Sequence, residues 1–167
     1  MVELMFDTLL GERKETVWAW LFPFTYLIHV TEEYVAGVAL APSPDKIRGA
    51  NLTPTQFLVL QGFACLLLVV GMILSRRFNF RPWLLICLAT VVLVNGLFHV
   101  AGSLRIAGYN PGLVSGVLIW IPLGVMTLVY LKRDMRPNMY WTAITVGILI
   151  NVVVLVLARG GRRLFEG

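Results

Sequence analysis

The sequence predicts an all-α fold: a polytopic transmembrane helical bundle of about five spans with a short N-terminal interfacial helix. Three observations carry this. Hydrophobic residues make up 58% of the chain against 14% charged, with a mean hydropathy of +0.80, far above the roughly half-apolar soluble average. The apolar residues fall into about five runs, each near the ~20 residues that a helix rising ~1.5 Å per residue needs to cross a ~30 Å hydrocarbon layer. The basic residues gather at the edges of those runs, where they meet lipid headgroups. In 167 residues these spans leave no room for a soluble domain of normal size, so a single integral membrane domain over 1–167 is expected.

Residues 1–15 place Val2, Leu4, Met5, Phe6, Leu9 and Leu10 among acidic groups. That stretch is too short to cross and suits a helix lying in the interface. It also lacks the basic start and apolar run of a cleaved signal, and is expected to stay in the mature chain. The first span runs near 17–40, with Trp18 and Trp20 at one boundary and Pro42-Ser43-Pro44 stopping it. Thr53-Pro54-Thr55-Gln56 then spells a helix start, with a capping hydroxyl, proline at the first position and glutamine at the third. The second span therefore covers 55–75, closed by Ser75-Arg76-Arg77. A third covers 82–104. The Gly108-Tyr109-Asn110-Pro111-Gly112 turn, with Asn110 able to cap, opens a fourth over 112–131, kinked at Pro122. The fifth covers 139–157.

With five spans, the N-terminus shares a side with Arg76, Arg77, Arg81, Lys132, Arg133 and Arg136, while Lys46, Arg48 and Arg105 lie opposite. The excess predicts an integral membrane protein with a cytoplasmic N-terminus, although Arg159, Arg162 and Arg163 blunt the contrast. The net charge of +5 is accounted for by headgroup contact, so no nucleic-acid partner is expected. Cys65 and Cys87 sit inside apolar runs and pack as small hydrophobes. The Asn51-Leu52-Thr53 sequon is followed by proline and reads as chance. No matched polar pattern marks an inverted repeat, which disfavours a duplicated transporter.

The first span contains Tyr26-Leu27-Ile28-His29-Val30-Thr31-Glu32-Glu33-Tyr34. Glu32 lies ~12 Å of helix from the span's end at Leu40. A central acidic residue costs ~2.5–3.5 kcal/mol to insert, so two in succession demand partners, protonation or water. Residues three and four apart share a helix face, which sets His29 beside Glu32 and Glu33, with Tyr26 and Gly37 extending the stripe. In the third span Asn95 and His99 share a face in the same way. First and third spans run in the same direction, and counting from their starts levels His29 with Asn95 and Glu33 with His99.

Such a cluster supplies acid–base chemistry: repulsion and desolvation favour one neutral carboxyl while the imidazoles hold the other ionised. The catalytic candidates are His29, Glu32, Glu33, His99 and Asn95. Tyr26, Gln61, Arg105, Tyr109 and Trp120 are substrate-binding candidates, with Asn151 and Thr145 as secondary ones. Each has a plainer reading: register-fixing hydrogen bonds for the buried cluster, Gln61, Asn151 and Thr145, packing or boundary anchoring for Trp120, and snorkelling for Arg105. Two histidines and two carboxylates could also hold zinc or iron. Against this, a Glu-Glu doublet cannot readily place both carboxylates on one ion, and the chain has only two histidines. No cofactor is therefore expected; His29, Glu32, Glu33 and His99 would be the ligands if an ion bound.

His29-Val30-Thr31-Glu32-Glu33 in a first span, followed by Asn95-x-x-x-His99 and a Tyr-Asn-Pro-Gly turn, resembles the HXXEE-motif integral membrane protein family. The resemblance covers most of the chain. It implies a small membrane protein in which His29, Glu32 and Glu33 define the site, with His99 and Asn95 as partners, and it names no substrate. In placing histidine and glutamates inside a helical bundle the chain is also similar to membrane sterol isomerases, although the spacing differs.

The expected function is an intramembrane acid–base enzyme that isomerises, cyclises or hydrolyses an apolar lipid or isoprenoid-like molecule entering laterally, with membrane lipids as its surroundings. The alternatives are a proton-coupled small transporter or channel using the same carboxylates, a metal-dependent membrane hydrolase, and a non-catalytic lipid-binding accessory protein. Oligomeric state is not readable.

Overall fold

The computed structural model describes the backbone of residues 2–48, 50–133 and 135–165, and side chains within 17–48, 50–133 and 135–159. The described chain is all helical, with no named strand. It forms α1 (Val2–Ala39), α2 (Pro54–Arg77), α3 (Arg81–Ile106), α4 (Leu113–Leu131) and α5 (Pro137–Phe165). Helix α1 continues without a break from Val2 through Pro23. The interfacial face expected over 1–15 lies outside the described side chains.

The start of α2 has a sequence-encoded cause. The Thr53 hydroxyl accepts from the Gln56 amide, and the Gln56 side chain accepts from the Thr53 amide, with Pro54 at the first helical position. These bonds satisfy amides that the helix itself cannot.

Among the described residues, four helices are long and apolar enough to cross a membrane: Pro54–Arg77, Arg81–Ile106, Leu113–Leu131 and Pro137–Arg159. Helix α1 falls outside this set; His29, Glu32 and Glu33 interrupt its apolar stretch. The outer surface is apolar, with Leu58, Val59, Phe63, Leu66 and Leu67 of α2 and Val152, Val153 and Val156 of α5 exposed. A continuous coat of this kind is costly in water and suits lipid chains.

Helix α3 is the centre of the bundle and packs along both α4 and α5, while α1 packs on α2 and the start of α4. Glycines allow the backbones to approach, as is usual between helices in lipid. A Cβ on Gly124 would stand 2.8 Å from Ala89 O, and one on Gly147 would stand 2.7 Å from Cys87 O. The core between them holds Leu85, Ile86, Val92, Leu123 and Ala143, with Phe22 from α1. Cys87 is buried in it and Cys65 half-buried on α2; both are free thiols.

Two contacts fix the direction of α1. The Trp18 indole donates to Thr127 Oγ1 at 2.8 Å near the end of α4, and Glu32 meets the amides at the start of α4. Helix α1 therefore lies antiparallel to α4 and parallel to α3.

The 40–53 connection folds against the bundle. Its Arg48 amide bonds Gly37 O at 2.9 Å, and Ile47 and Leu52 form a small cluster with Phe57, Val30 and Tyr34. Asn51 ties it to α5 through an amide bond of 2.9 Å to Ala158 O.

The kink expected at Pro122 takes a different form. Over Gly116–Trp120 the helix widens into a π-turn, with the Ile121 amide bonded to Gly116 O, five residues back. Such widening inserts an extra residue into the turn and rotates the side chains that follow.

Candidate functional site

Three elements converge beneath the turn that joins α3 to α4. From α1, His29 and Glu33 stand one above the other, as their four-residue spacing requires. From α3 comes His99. The Glu33 carboxylate lies between the two imidazoles, with Oε1 3.2 Å from His99 Nε2 and Oε2 3.8 Å from His29 Nε2. The rings meet edge to face, with centroids 4.9 Å apart and planes at 72°.

His29 is wholly buried, with 0% of its surface exposed. Its ring stacks on the Trp120 indole at 3.5 Å with planes at 23°, and Trp120 is carried there by the π-turn. His29 Nδ1 lies 2.7 Å from Ser115 Oγ. The ring nitrogen and the hydroxyl can each donate; with its proton on Nδ1, the imidazole donates to the Ser115 oxygen. That tautomer leaves a lone pair on Nε2. That Nε2 is buried and has no hydrogen-bond partner among the described residues, nor has the Trp120 indole nitrogen.

Gly112 closes the top of the site. Its φ of +88° is a left-handed conformation that side chains resist, and a Cβ there would stand 2.6 Å from His99 Cε1 and 2.9 Å from His29 Cε1. Only a glycine lets the turn lie on both rings.

Glu32 faces away from this centre. Its carboxylate accepts from the Val114 amide at 2.9 Å, the Ser115 amide at 2.7 Å and the Tyr109 hydroxyl at 2.6 Å. It thereby caps α4 from another helix, where the free amides and the helix dipole favour an anion. The Asn110 side chain, expected to cap α4, bonds His99 instead, with Nδ2 3.3 Å from Nδ1.

Partial burial, together with the Glu32 carboxylate beside it, pushes the Tyr109 hydroxyl up to about 12. Folding thus favours the protonated phenol. The stability this adds is complete below the ordinary phenol pKa of about 10 and lost as pH rises through about 12. Subtracting the tyrosinate absorbance titration of Tyr109→Phe from that of the wild type should show one phenol ionising late. An ordinary midpoint for that phenol would remove the Glu32 contact.

Tyr26 and Gln61 extend the network towards lipid. The Tyr26 hydroxyl donates to Gln61 Oε1 at 2.5 Å, and Gln61 Nε2 donates to Glu33 Oε2 at 3.4 Å. Both line a groove of about 430 Å³ between α1 and α2, walled by Leu27, Leu58, Cys65 and Leu66.

Of the residues singled out from the sequence, His29, Glu33, His99, Tyr26, Gln61 and Trp120 meet in one network, joined through Ser115 to Glu32 and Tyr109. Asn95 does not join it. It is half-buried on α3 and makes no side-chain hydrogen bond among the described residues. Glu33 meets His99 as counting from the span starts expects, whereas His29 meets His99 as well and not Asn95. Arg105 is exposed on the last turn of α3, outside the network. The carboxylates are also less enclosed than expected, with 17% of the Glu33 side chain exposed. Asn151 holds helices together, donating to Val91 O at 3.3 Å, and Thr145 bonds its own helix at Trp141 O.

Ser115, Asn110 and Gly112 were not foreseen as site residues. The Tyr-Asn-Pro-Gly turn marked where the last two lie. Nothing in the sequence marked Ser115.

Two imidazole Nε2 atoms and the Glu33 carboxylate offer ligand atoms within 4.8 Å of one another. Such a set can pass a proton or hold a cation. Fold and site together define a small helical membrane protein with a His–Glu–His centre under one end of its bundle. Over residues 20–127 the chain matches the family described as proteins of unknown function with the HXXEE motif, and it belongs to that family. The motif is His29-Val30-Thr31-Glu32-Glu33. No curated protein and no solved structure matches the chain significantly.

Proposed function

We propose that this protein is an intramembrane acid–base enzyme acting on an apolar lipid or isoprenoid-like molecule, by isomerisation, cyclisation or hydrolysis. One observation supports this most: a half-buried carboxylate, Glu33, held between two imidazoles and bonded to Gln61, which lines an apolar groove on the outer face of α1 and α2. Glu33 is the proton donor or acceptor, His99 and His29 set its charge, and Glu32 is the fixed anion that holds α4 in place. The apolar part of the substrate lies along the α1/α2 groove with its reacting end at Gln61 and Glu33.

In this reading α1 is a fifth span, residues 1–15 lie in the interface, and the N-terminus is cytoplasmic. The site then faces the opposite side of the membrane. A transmembrane proton path is less well supported, because Leu85, Ile86 and Leu123 fill the core beyond the site.

The test compares lipid extracts of cells that express the wild type, Glu33→Gln or no protein. A lipid pool should change with the wild type only, and the variant should lose about 10²–10⁴-fold in the rate of that change. Identical extracts in all three would overturn the enzymatic reading.

A further inference from the structure

We infer that His29 Nε2, His99 Nε2 and the Glu33 carboxylate form a binding site for one divalent transition-metal ion of the zinc class. This goes beyond the proton-transfer reading, since Glu33 is free to carry a proton only while the ion is absent, and it holds whether or not the protein turns over a lipid.

The first argument is electrostatic. With its proton on Nδ1 towards Ser115, His29 aims a bare and otherwise unpartnered Nε2 lone pair at a carboxylate oxygen 3.8 Å away. Two acceptors facing each other repel, and at a fully buried nitrogen no solvent relieves it. A second proton on His29 would turn the contact into an ion pair, yet at 3.8 Å it would still lack a hydrogen bond. A cation between the two groups resolves the repulsion.

The second argument is geometric. Ligand atoms bound at ~2.0–2.2 Å to a tetrahedral ion stand roughly 3.3–3.6 Å apart. The two imidazole-to-carboxylate distances, 3.2 and 3.8 Å, bracket that spacing. All three groups lie within 4.8 Å, so small side-chain rotations complete the set. Three protein ligands leave a position open, as in zinc sites that do chemistry.

The third concerns support. Histidines that hold a metal use their other nitrogen to hold themselves. Here His29 Nδ1 is bonded to Ser115, which leads on to Glu32, and His99 Nδ1 lies against Asn110. The Asn110 carboxamide serves either tautomer: Nδ2 donates to a bare Nδ1, and Oδ1 accepts from a protonated one. Gly112 and the Trp120 indole fix the ring planes from two sides. Imidazole donors favour zinc, cobalt or ferrous ions over magnesium and calcium, which prefer oxygen alone. Glu32 is not a ligand, which answers the objection that a Glu-Glu doublet cannot serve one ion.

The full-length protein in detergent, stripped with a chelator, is titrated with Zn²⁺ and, for its visible ligand-field bands, with Co²⁺. The expected result is about one ion per chain, a higher melting temperature on binding, and no displacement by excess Mg²⁺ or Ca²⁺. His29→Ala, His99→Ala and Glu33→Gln should abolish stoichiometric binding. Ser115→Ala keeps all three ligands and should weaken binding by about 10–100-fold, so the test survives if a ligand variant fails to fold. A folded wild type that binds neither ion, or equal affinity in the wild type, Ser115→Ala and Glu33→Gln, would overturn the site. Binding is read without turnover, so unchanged lipid extracts beside tight Co²⁺ binding would remove the enzyme reading alone.

Discussion

Gly112→Ala is expected to destabilise the protein by about 2–5 kcal/mol, although it adds a single methyl group. A left-handed conformation costs a side-chain-bearing residue about 1–2 kcal/mol, and overpacking a filled site adds about 1–3. The overlaps explain why the second cost is not relieved. The added carbon would lie 2.6 Å from His99 Cε1, 2.8 Å from His99 Nδ1 and 2.9 Å from His29 Cε1. Neither ring can retreat, since His29 is stacked on Trp120 and bonded to Ser115, and His99 is held by Glu33 and Asn110. The turn must move instead, and it takes the Val114 and Ser115 amides off Glu32. Gly62→Ala is the control. Gly62 is exposed on α2, a Cβ there meets nothing within 4 Å, and a helical alanine should stabilise by about 0.5–1 kcal/mol. Melting both variants in the same detergent checks the pair. Equal melting would show that the turn does not rest on the imidazoles.

The contrast between these glycines also marks what the sequence could disclose. Local signals were legible: the Thr53–Gln56 capping box, the apolar runs, and the four-residue spacing that sets His29 over Glu33. Each depends on neighbours along one helix. The meeting of His99 with Glu33 was legible for a weaker reason, namely that alternate spans run parallel, and counting from span starts places each residue only to within a few positions. Asn95 fell to that error. Ser115 and Asn110 escaped notice because their roles depend on where the α3–α4 turn lies against α1, and no pattern along the chain encodes that placement. The π-turn over Gly116–Trp120 was hidden in the same way: Pro122 announced an irregularity, but its form is set by the need to bring α4 against Gly96 and turn Trp120 under His29.

Glu32→Gln is expected to lower stability by about 2–3 kcal/mol, whereas Glu33→Gln should leave it within about 1 kcal/mol. The adjacent carboxylates differ because of their partners. Glu32 receives two backbone amides and a phenol, none of which can change its charge to suit a neutral acceptor. A carboxamide has one oxygen where the carboxylate has two, so at least one amide at the start of α4 loses its bond. Its nitrogen also brings hydrogen atoms towards donors. Hydrogen bonds to a charged group are worth about 1.5–3 kcal/mol each, and the half-exposed position of Glu32 reduces their sum. Loss of an anion at the helix start adds up to about 1 kcal/mol. Glu33 faces two imidazoles, which can shift their protons to meet a carboxamide, and Gln61, which can rotate. At roughly 2–4 °C per kcal/mol for a chain of this size, Glu32→Gln should melt about 4–12 °C below the wild type and clearly below Glu33→Gln, an order that differential scanning in detergent resolves. The reverse order, with Glu33→Gln the less stable, would make Glu33 the structural carboxylate and leave Glu32 to carry the chemistry.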